Sequence, residues 1–295
     1  MNDVLRGVWP ATTLPFRDDL TLDLDRFAEH CAWLVESGCE GVVVNGSLGE
    51  YEALTDEERA AVVDAAVAAV GADRVIPGVA GKSAGEARRW TEQAAAHGCP
   101  AVMLLPPTSH APTDDEVVAH YAHVAEVGVP IIAYNNPWST RVDLVPTLMA
   151  KIVGAVPQVV GLKEFSMDVR RVRHLADLVP QLQVICGCDD VLVESALVGT
   201  RGWISGFVNA FPEQSVRLLE LSESGKIADA LALYDEMLPI LRWDAEPRFV
   251  QATKLGQEEA GRSGGPSRLP RLPLPADVEQ QVRADARRAL AAGKG

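Results

Sequence analysis

Eight short apolar runs, each followed by a longer amphipathic segment, constrain this chain more than any other feature. The runs are GVWPATTL (7–14), EGVVVNG (40–46), RVIPGVA (74–80), PAVMLLP (100–106), VPIIAYN (129–135), VVGLKEF (159–165), LQVICGC (182–188) and GWISGFV (202–208). Segments of helical period follow at 23–37, 55–70, 84–97, 113–127, 143–154, 168–178, 189–198 and 212–223. Short Val- and Ile-rich runs suit strands buried on both faces of a parallel sheet, and each helix supplies the crossover that parallel pairing requires. The punctuation agrees: Thr55 with Glu58 three positions on reads as a capping box, and Gly38, Gly71, Gly98 and Gly128 stop helical runs. Eight units in about 220 residues predict a closed (β/α)8 TIM barrel over 1–224, rather than an open doubly wound sheet with its glycine fingerprint. Residues 225–295 then form a C-terminal helical extension, with helical segments at 226–241, 245–259 and 276–292 and the loop GRSGGPSRLPRLPLP before the last.

Composition narrows the function. Hydrophobic residues make up 47% of 295 positions, enough for a large core. Acidic residues outnumber basic ones 41 to 27, and a net charge of -14 opposes the phosphate neutralisation that nucleic acids demand, so no nucleic-acid partner is expected. The N-terminal MNDVLRGVWP lacks a basic stretch followed by an apolar one, and no run approaches the roughly 18 apolar residues of a membrane span. No membrane partner and a cytoplasmic location are the expectation. Five cysteines, Cys31, Cys39, Cys99, Cys186 and Cys188, are an odd number in a chain that needs no staples, so reduced thiols are expected. Cys186 and Cys188 lack a second Cys or His pair at metal-site spacing, and His120 and His123 fit a solvated helix face, so no metal is expected. Gly81-Lys82-Ser83 resembles the end of a phosphate loop, but Ile76 stands where that loop needs glycine, which leaves a strand-end turn.

Lys163 ends an apolar run, an expensive place for an unpaired ammonium. A snorkelling strand lysine is one reading. Under the barrel reading, however, Lys163 lies at the mouth end of strand six, Tyr134 at that of strand five, and Gly46-Ser47-Leu48-Gly49-Glu50 just beyond strand two, on the face where barrel active sites form. An amine there can attack a carbonyl or imine carbon, a phenol beside it can move protons, and amides in a glycine-flanked turn can hold a carboxylate.

These residues also carry a resemblance that covers nearly the whole chain. GSLGE (46–50), YNNP (134–137), GLKE (161–164), GCDD (187–190) and GWISG (202–206) resemble the dihydrodipicolinate synthase and N-acetylneuraminate lyase superfamily. The resemblance implies a Schiff base between Lys163 and a small 2-oxo or 2-imino acid, with Tyr134 as proton shuttle and the Ser47-Leu48 turn as carboxylate seat. Catalytic roles then fall on Lys163, Tyr134 and Ser47, and substrate contacts on Leu48, Glu50, Asn136, Gly187, Asp189 and Ser205. Asn136 suits either a substrate contact or a turn cap. No organic cofactor is implied, and a homo-oligomer, dimer or tetramer, is the family's habit.

Departures bear on the substrate. Synthases of that superfamily typically read YN-x-P-x-R-T, whereas this chain places Ser139 at the arginine, and Thr108-Ser109-His110 stands where they carry a tyrosine pair. GWISGFVNAFPEQ, ALYDEMLPIL, FVQATKL and PRLPLP resemble the 1-pyrroline-4-hydroxy-2-carboxylate deaminases of hydroxyproline breakdown. The expectation is therefore deamination of that cyclic imine to 2,5-dioxopentanoate and ammonia. The alternatives are an N-acetylneuraminate or 2-keto-3-deoxy sugar acid aldolase, a dihydrodipicolinate synthase, and a non-catalytic oxo-acid-binding barrel.

Overall fold

Alternation inside the apolar runs decides which side chains fill the barrel and which meet the helices. The computed structural model describes residues 5–292; residues 1–4, the start of the stretch read for a leader, and 293–295, the end of the extension, lie outside the described residues. The strands are β1 (Gly7–Pro10), β2 (Val42–Val44), β3 (Val75–Pro77), β4 (Val102–Leu104), β5 (Ile131–Asn135), β6 (Val159–Glu164), β7 (Gln183–Cys186) and β8 (Gly202–Ser205). Six pair in the order β1-β8-β7-β6-β5-β4 and two as β2-β3, all in parallel. Single bridges, Ala11 to Val43 and Gly78 to Met103, join the two sets. Amides cross both seams: Thr12 N donates to Val43 O and Val79 N to Met103 O, each at 2.9 Å. The eight strands thus close the barrel that the repeat predicts.

Each run is longer than most of its strand, because ladder pairing stops where the tilted chain leaves the barrel wall. The run 202–208, for example, becomes β8 and then a 3₁₀ turn, Phe207–Asn209. Val43 faces the lumen with Trp9, Ile76, Met103, Ile132 and Ile204. Val42 and Val44 point the other way, into the layer between strands and helices. Burying each such side chain contributes about 1.5–3 kcal/mol, which is why both faces of the strands are apolar.

The barrel helices are α1 (Leu24–Glu36), α2 (Asp56–Val70), α3 (Ala84–His97), α4 (Asp114–Ala125), α5 (Pro137–Thr140), α6 (Pro146–Ala155), α7 (Arg170–Leu178), α8 (Leu192–Val198) and α9 (Pro212–Glu223). Capping boxes start α2, through Thr55 and Glu58, and α4, through Thr113 and Glu116. The helix expected from 143 starts at Pro146, because proline favours the first helical position and holds Val145 extended. Three helices follow the barrel: α10 (Ile227–Leu241), α11 (Phe249–Glu259) and α12 (Ala276–Ala292), with a 3₁₀ turn at Arg242–Ala245. The first of these packs on α9, and α12 closes over α10 and α11.

A buried ion pair fastens this extension to the barrel. Lys254 Nζ, from α11, donates to Glu50 Oε1 at 2.8 Å and to Pro266 O at 2.6 Å, while Arg268 N donates to Glu50 Oε2 at 3.0 Å. All five cysteines are free and buried, and burial pushes the Cys99 thiol up to about 11 and those of Cys39 and Cys186 to about 12. Among the described residues, no helix is long and apolar enough to cross a membrane, and no three His, Cys, Asp or Glu side chains gather as a metal site.

Candidate active site

Strand register brings the lysine and the tyrosine together. Tyr134 on β5 pairs with Lys163 on β6, and both project into the barrel mouth, where Lys163 is 5% exposed and its Nζ lies 4.4 Å from the Tyr134 ring centroid. Their sequence neighbours face outward. Asn135 Nδ2 donates to both Glu164 oxygens and to Asp143, each at 3.2 Å, and Arg171 clasps Asp143 at 2.5 and 2.8 Å. This network locks the two strand ends from behind, and burial pushes the Glu164 carboxyl upward. Among the described residues, Lys163 has no carboxylate oxygen within 4 Å; its Nζ lies against the tyrosine ring, and its charge draws down the nearby carboxyls of Asp189 and Asp244, which burial raises.

The path of the lysine stem depends on the next strand. A Cβ on Gly187 would lie 2.8 Å from Lys163 Cγ and 2.9 Å from both Lys163 Cε and Glu164 O, so only glycine leaves room. At the far wall, Ser47–Gly49 form a 3₁₀ turn between two left-handed residues, Asn45 (φ 55°) and Glu50 (φ 52°). Left-handed non-glycine residues cost energy and persist where the surroundings hold them. The first N–H groups of such a turn have no carbonyl behind them within it.

These parts meet in a cavity of about 420 Å³, walled by Ser47, Leu48, Tyr134, Asn136 and Lys163 and, nearer its mouth, by Thr108, Trp138 and Ser139. Asn136 does two jobs there: its Nδ2 donates to the Tyr134 hydroxyl at 3.1 Å, and its Oδ1 caps α5 by accepting from Ser139 N at 3.2 Å. A larger open groove of about 610 Å³ runs along Leu269–Pro275, but neither Lys163 nor Tyr134 lines it. The smaller cavity holds the reactive groups and is the candidate active site.

Four residues expected as substrate contacts are engaged elsewhere. The Glu50 carboxylate is fully buried against Lys254 and Arg268 N, because a charge placed behind the turn needs its partner there. Asp189 accepts from Trp203 Nε1 at 2.9 Å, Ser205 Oγ at 2.8 Å and Phe207 N at 3.2 Å, which occupies the Ser205 hydroxyl as well. Burial pushes the Asp189 carboxyl up to about 6. Gly187 supplies space for Lys163 and does not line the cavity.

Sequence reasoning missed Asp244, which lines the cavity from the 3₁₀ turn of the extension. Its Oδ2 accepts from Asp189 N at 3.4 Å, and burial, with Asp189 beside it, holds its carboxyl well above the usual range. Nothing in RWDAEP marks it: it lies beyond the last strand, where strand-end logic has no reach.

A sequence model of the dihydrodipicolinate synthetase family matches residues 4–289. The chain belongs to that family. The 4-hydroxy-tetrahydrodipicolinate synthase of Xanthomonas campestris is 34% identical over 281 residues, covering 92% of this chain and 90% of the relative. That of Methanosphaerula palustris is 31% identical over 276 residues, covering 90% and 93%. Among solved structures, a putative dihydrodipicolinate synthetase from Pseudomonas aeruginosa superposes with a TM-score of 0.92 at 28% identity, covering 97% of this chain and 99% of the other. The 4-hydroxy-tetrahydrodipicolinate synthase of Methylacidiphilum fumariolicum gives 0.92 at 25%, covering 98% and 97%. Members of the family are Schiff-base lyases, and this member is an enzyme of that superfamily.

Proposed function

We propose that this family member is a lysine Schiff-base lyase for a small 2-oxo acid with one carboxylate, acting through Lys163. The observation that carries the reading is the buried Lys163 Nζ, with no carboxylate oxygen within 4 Å among the described residues, against the Tyr134 ring in the cavity at the barrel mouth. Lys163 Nζ attacks C2 of the acid, the C2 oxygen leaves as water, and the resulting iminium accepts the C3–H electron pair as the proton departs, giving an enamine. Tyr134, its hydroxyl held by Asn136, carries those protons. The amides of Ser47 and Leu48 seat the carboxylate.

Between specific reactions, the names of the relatives support condensation of pyruvate with aspartate semialdehyde ahead of the deamination anticipated from the C-terminal stretches. One observation favours the deaminase: Ser139, much shorter than an arginine, stands on the cavity wall at the position where the resemblance expects a guanidinium to clamp a second anionic substrate. A panel separates them: pyruvate with aspartate semialdehyde, 1-pyrroline-4-hydroxy-2-carboxylate with ammonia as readout, and N-acetylneuraminate. Incubation with pyruvate and borohydride tests the common step. The wild-type mass rises by one reduced adduct, and Lys163→Ala abolishes both adduct and turnover while keeping the circular dichroism of the fold. An adduct on another lysine would refute the assignment, and a protein that binds pyruvate without trapping it would be a binding barrel.

A further inference from the structure

Two carboxyl groups meet near Lys163 in unlike surroundings. Asp189 is fully buried and accepts three hydrogen bonds, which favour its ionised form. Asp244 accepts one, the long bond from Asp189 N. Its Oδ1 lies beside Gly206, where a Cβ would come within 3.2 Å of it and 3.3 Å of Leu48 Cδ2, so Asp244 and the Ser47-Leu48 turn border the same patch of wall. A second charge beside Asp189 is costly: desolvation and the neighbouring Asp189 raise the Asp244 carboxyl well above the usual range, against the opposing pull of Lys163, in a residue that is half-buried where it lines the cavity. The other carboxylates that line the cavity, Glu52 and Glu246, are exposed.

Topology sets the direction of approach. Tyr134 reaches the amine from β5, on one side of β6, whereas Asp189 and Gly206 follow β7 and β8 on the other side. An acid bound at Lys163 therefore has Tyr134 on one flank and the Asp189 and Asp244 carboxyls on the other. We infer that Asp244, delivered by the C-terminal extension, is a catalytic proton donor to the oxygen that the substrate carries on C4, two carbons from the lysine-bound carbon.

The inference rests on the Schiff-base reading and adds a second acid to it. In bond formation, the enamine C3 closes on an aldehyde carbon, the C=O π pair moves to oxygen, that oxygen takes the Asp244 proton, and nitrogen regains the iminium. In elimination, the enamine electrons form the C3–C4 double bond and the iminium, the C4–O pair leaves with oxygen, and the same proton makes it a leaving water. Either way Asp244 is left ionised and recovers its proton from solvent through the open mouth. No step needs an oxidant or a further reactant.

The chemistry before C4 does not involve this acid, which makes the test specific. Wild type, Asp244→Asn and Asp244→Ala are compared as full chains in three measurements: borohydride trapping with pyruvate, exchange of the pyruvate methyl hydrogens in heavy water by NMR, and turnover of the best substrate of the panel. An Asn keeps the shape and still accepts from Asp189 N but has no acidic proton. Both variants should trap and exchange within roughly threefold of wild type and lose about 10²- to 10⁴-fold in turnover, the range of a general acid. Turnover near wild type, or exchange falling in step with turnover, overturns the assignment, the second because it marks a structural defect at Lys163. A wild type that forms no adduct removes the Schiff-base reading itself and this inference with it, an outcome distinct from an adduct with unchanged turnover.

Discussion

Position 187 separates room from chemistry. Gly187→Ala would set a methyl 2.8 Å from Lys163 Cγ and 2.9 Å from a backbone carbonyl, and the carbonyl cannot give way without moving β6. The lysine stem has to bend, so pyruvate trapping should slow by about tenfold or more, with a stability loss of about 1–3 kcal/mol typical of overpacking. Trapping rate and urea midpoint check it; an unchanged rate would mean the stem has another path. The meeting of Lys163 and Tyr134 at the barrel mouth was legible because an apolar run ending in a polar reactive residue is a strand-end signature in a barrel. Glu50, Asp189 and Ser205 were not, since a motif tells which residues are adjacent and not where a carboxylate points. Each turned to the partner that satisfies it in burial, Lys254 for Glu50 and the Trp203, Ser205 and Phe207 donors for Asp189.

Helices and strands were read most securely where local chemistry and long-range packing agree. The Thr55–Glu58 box, expected from the residues alone, starts α2 with both reciprocal bonds present, Thr55 N to Glu58 Oε2 at 3.0 Å and Glu58 N to Thr55 Oγ1 at 3.2 Å. Thr55→Ala removes one of them and orphans an amide, so stability should fall by about 1 kcal/mol in urea denaturation with activity retained. A loss near zero would show that water caps the helix as well. Strand lengths resisted the same reading: apolar composition continues past β3 and β8 into the turns, because the mouth of the barrel is apolar too, while the ladder ends earlier. The short helix α5, ahead of the segment expected from 143, was not foreseen because Asn136 acts as a cap only when Pro137 and Ser139 are folded around it.

The barrel and its extension share a buried charge pair, Glu50 with Lys254, and neither part satisfies it alone. Lys254→Met leaves Glu50 fully buried without its ammonium, which should cost about 3–5 kcal/mol and loosen the Ser47–Gly49 turn. Adding Glu50→Gln should recover part of the loss, because the uncompensated charge is then gone. Urea melts of the two single variants and the double variant test this; additive losses would deny the coupling. The pairing spans 204 positions, from a turn in the first quarter of the chain to a helix near its end. During synthesis at about 5–20 residues per second, the turn leaves the ribosome at least some ten seconds before its partner exists. The nascent chain must keep that carboxylate wet until α11 arrives, so the wall of the cavity around Ser47 is finished last, and a message cut short before codon 254 encodes a barrel that cannot complete its own binding site.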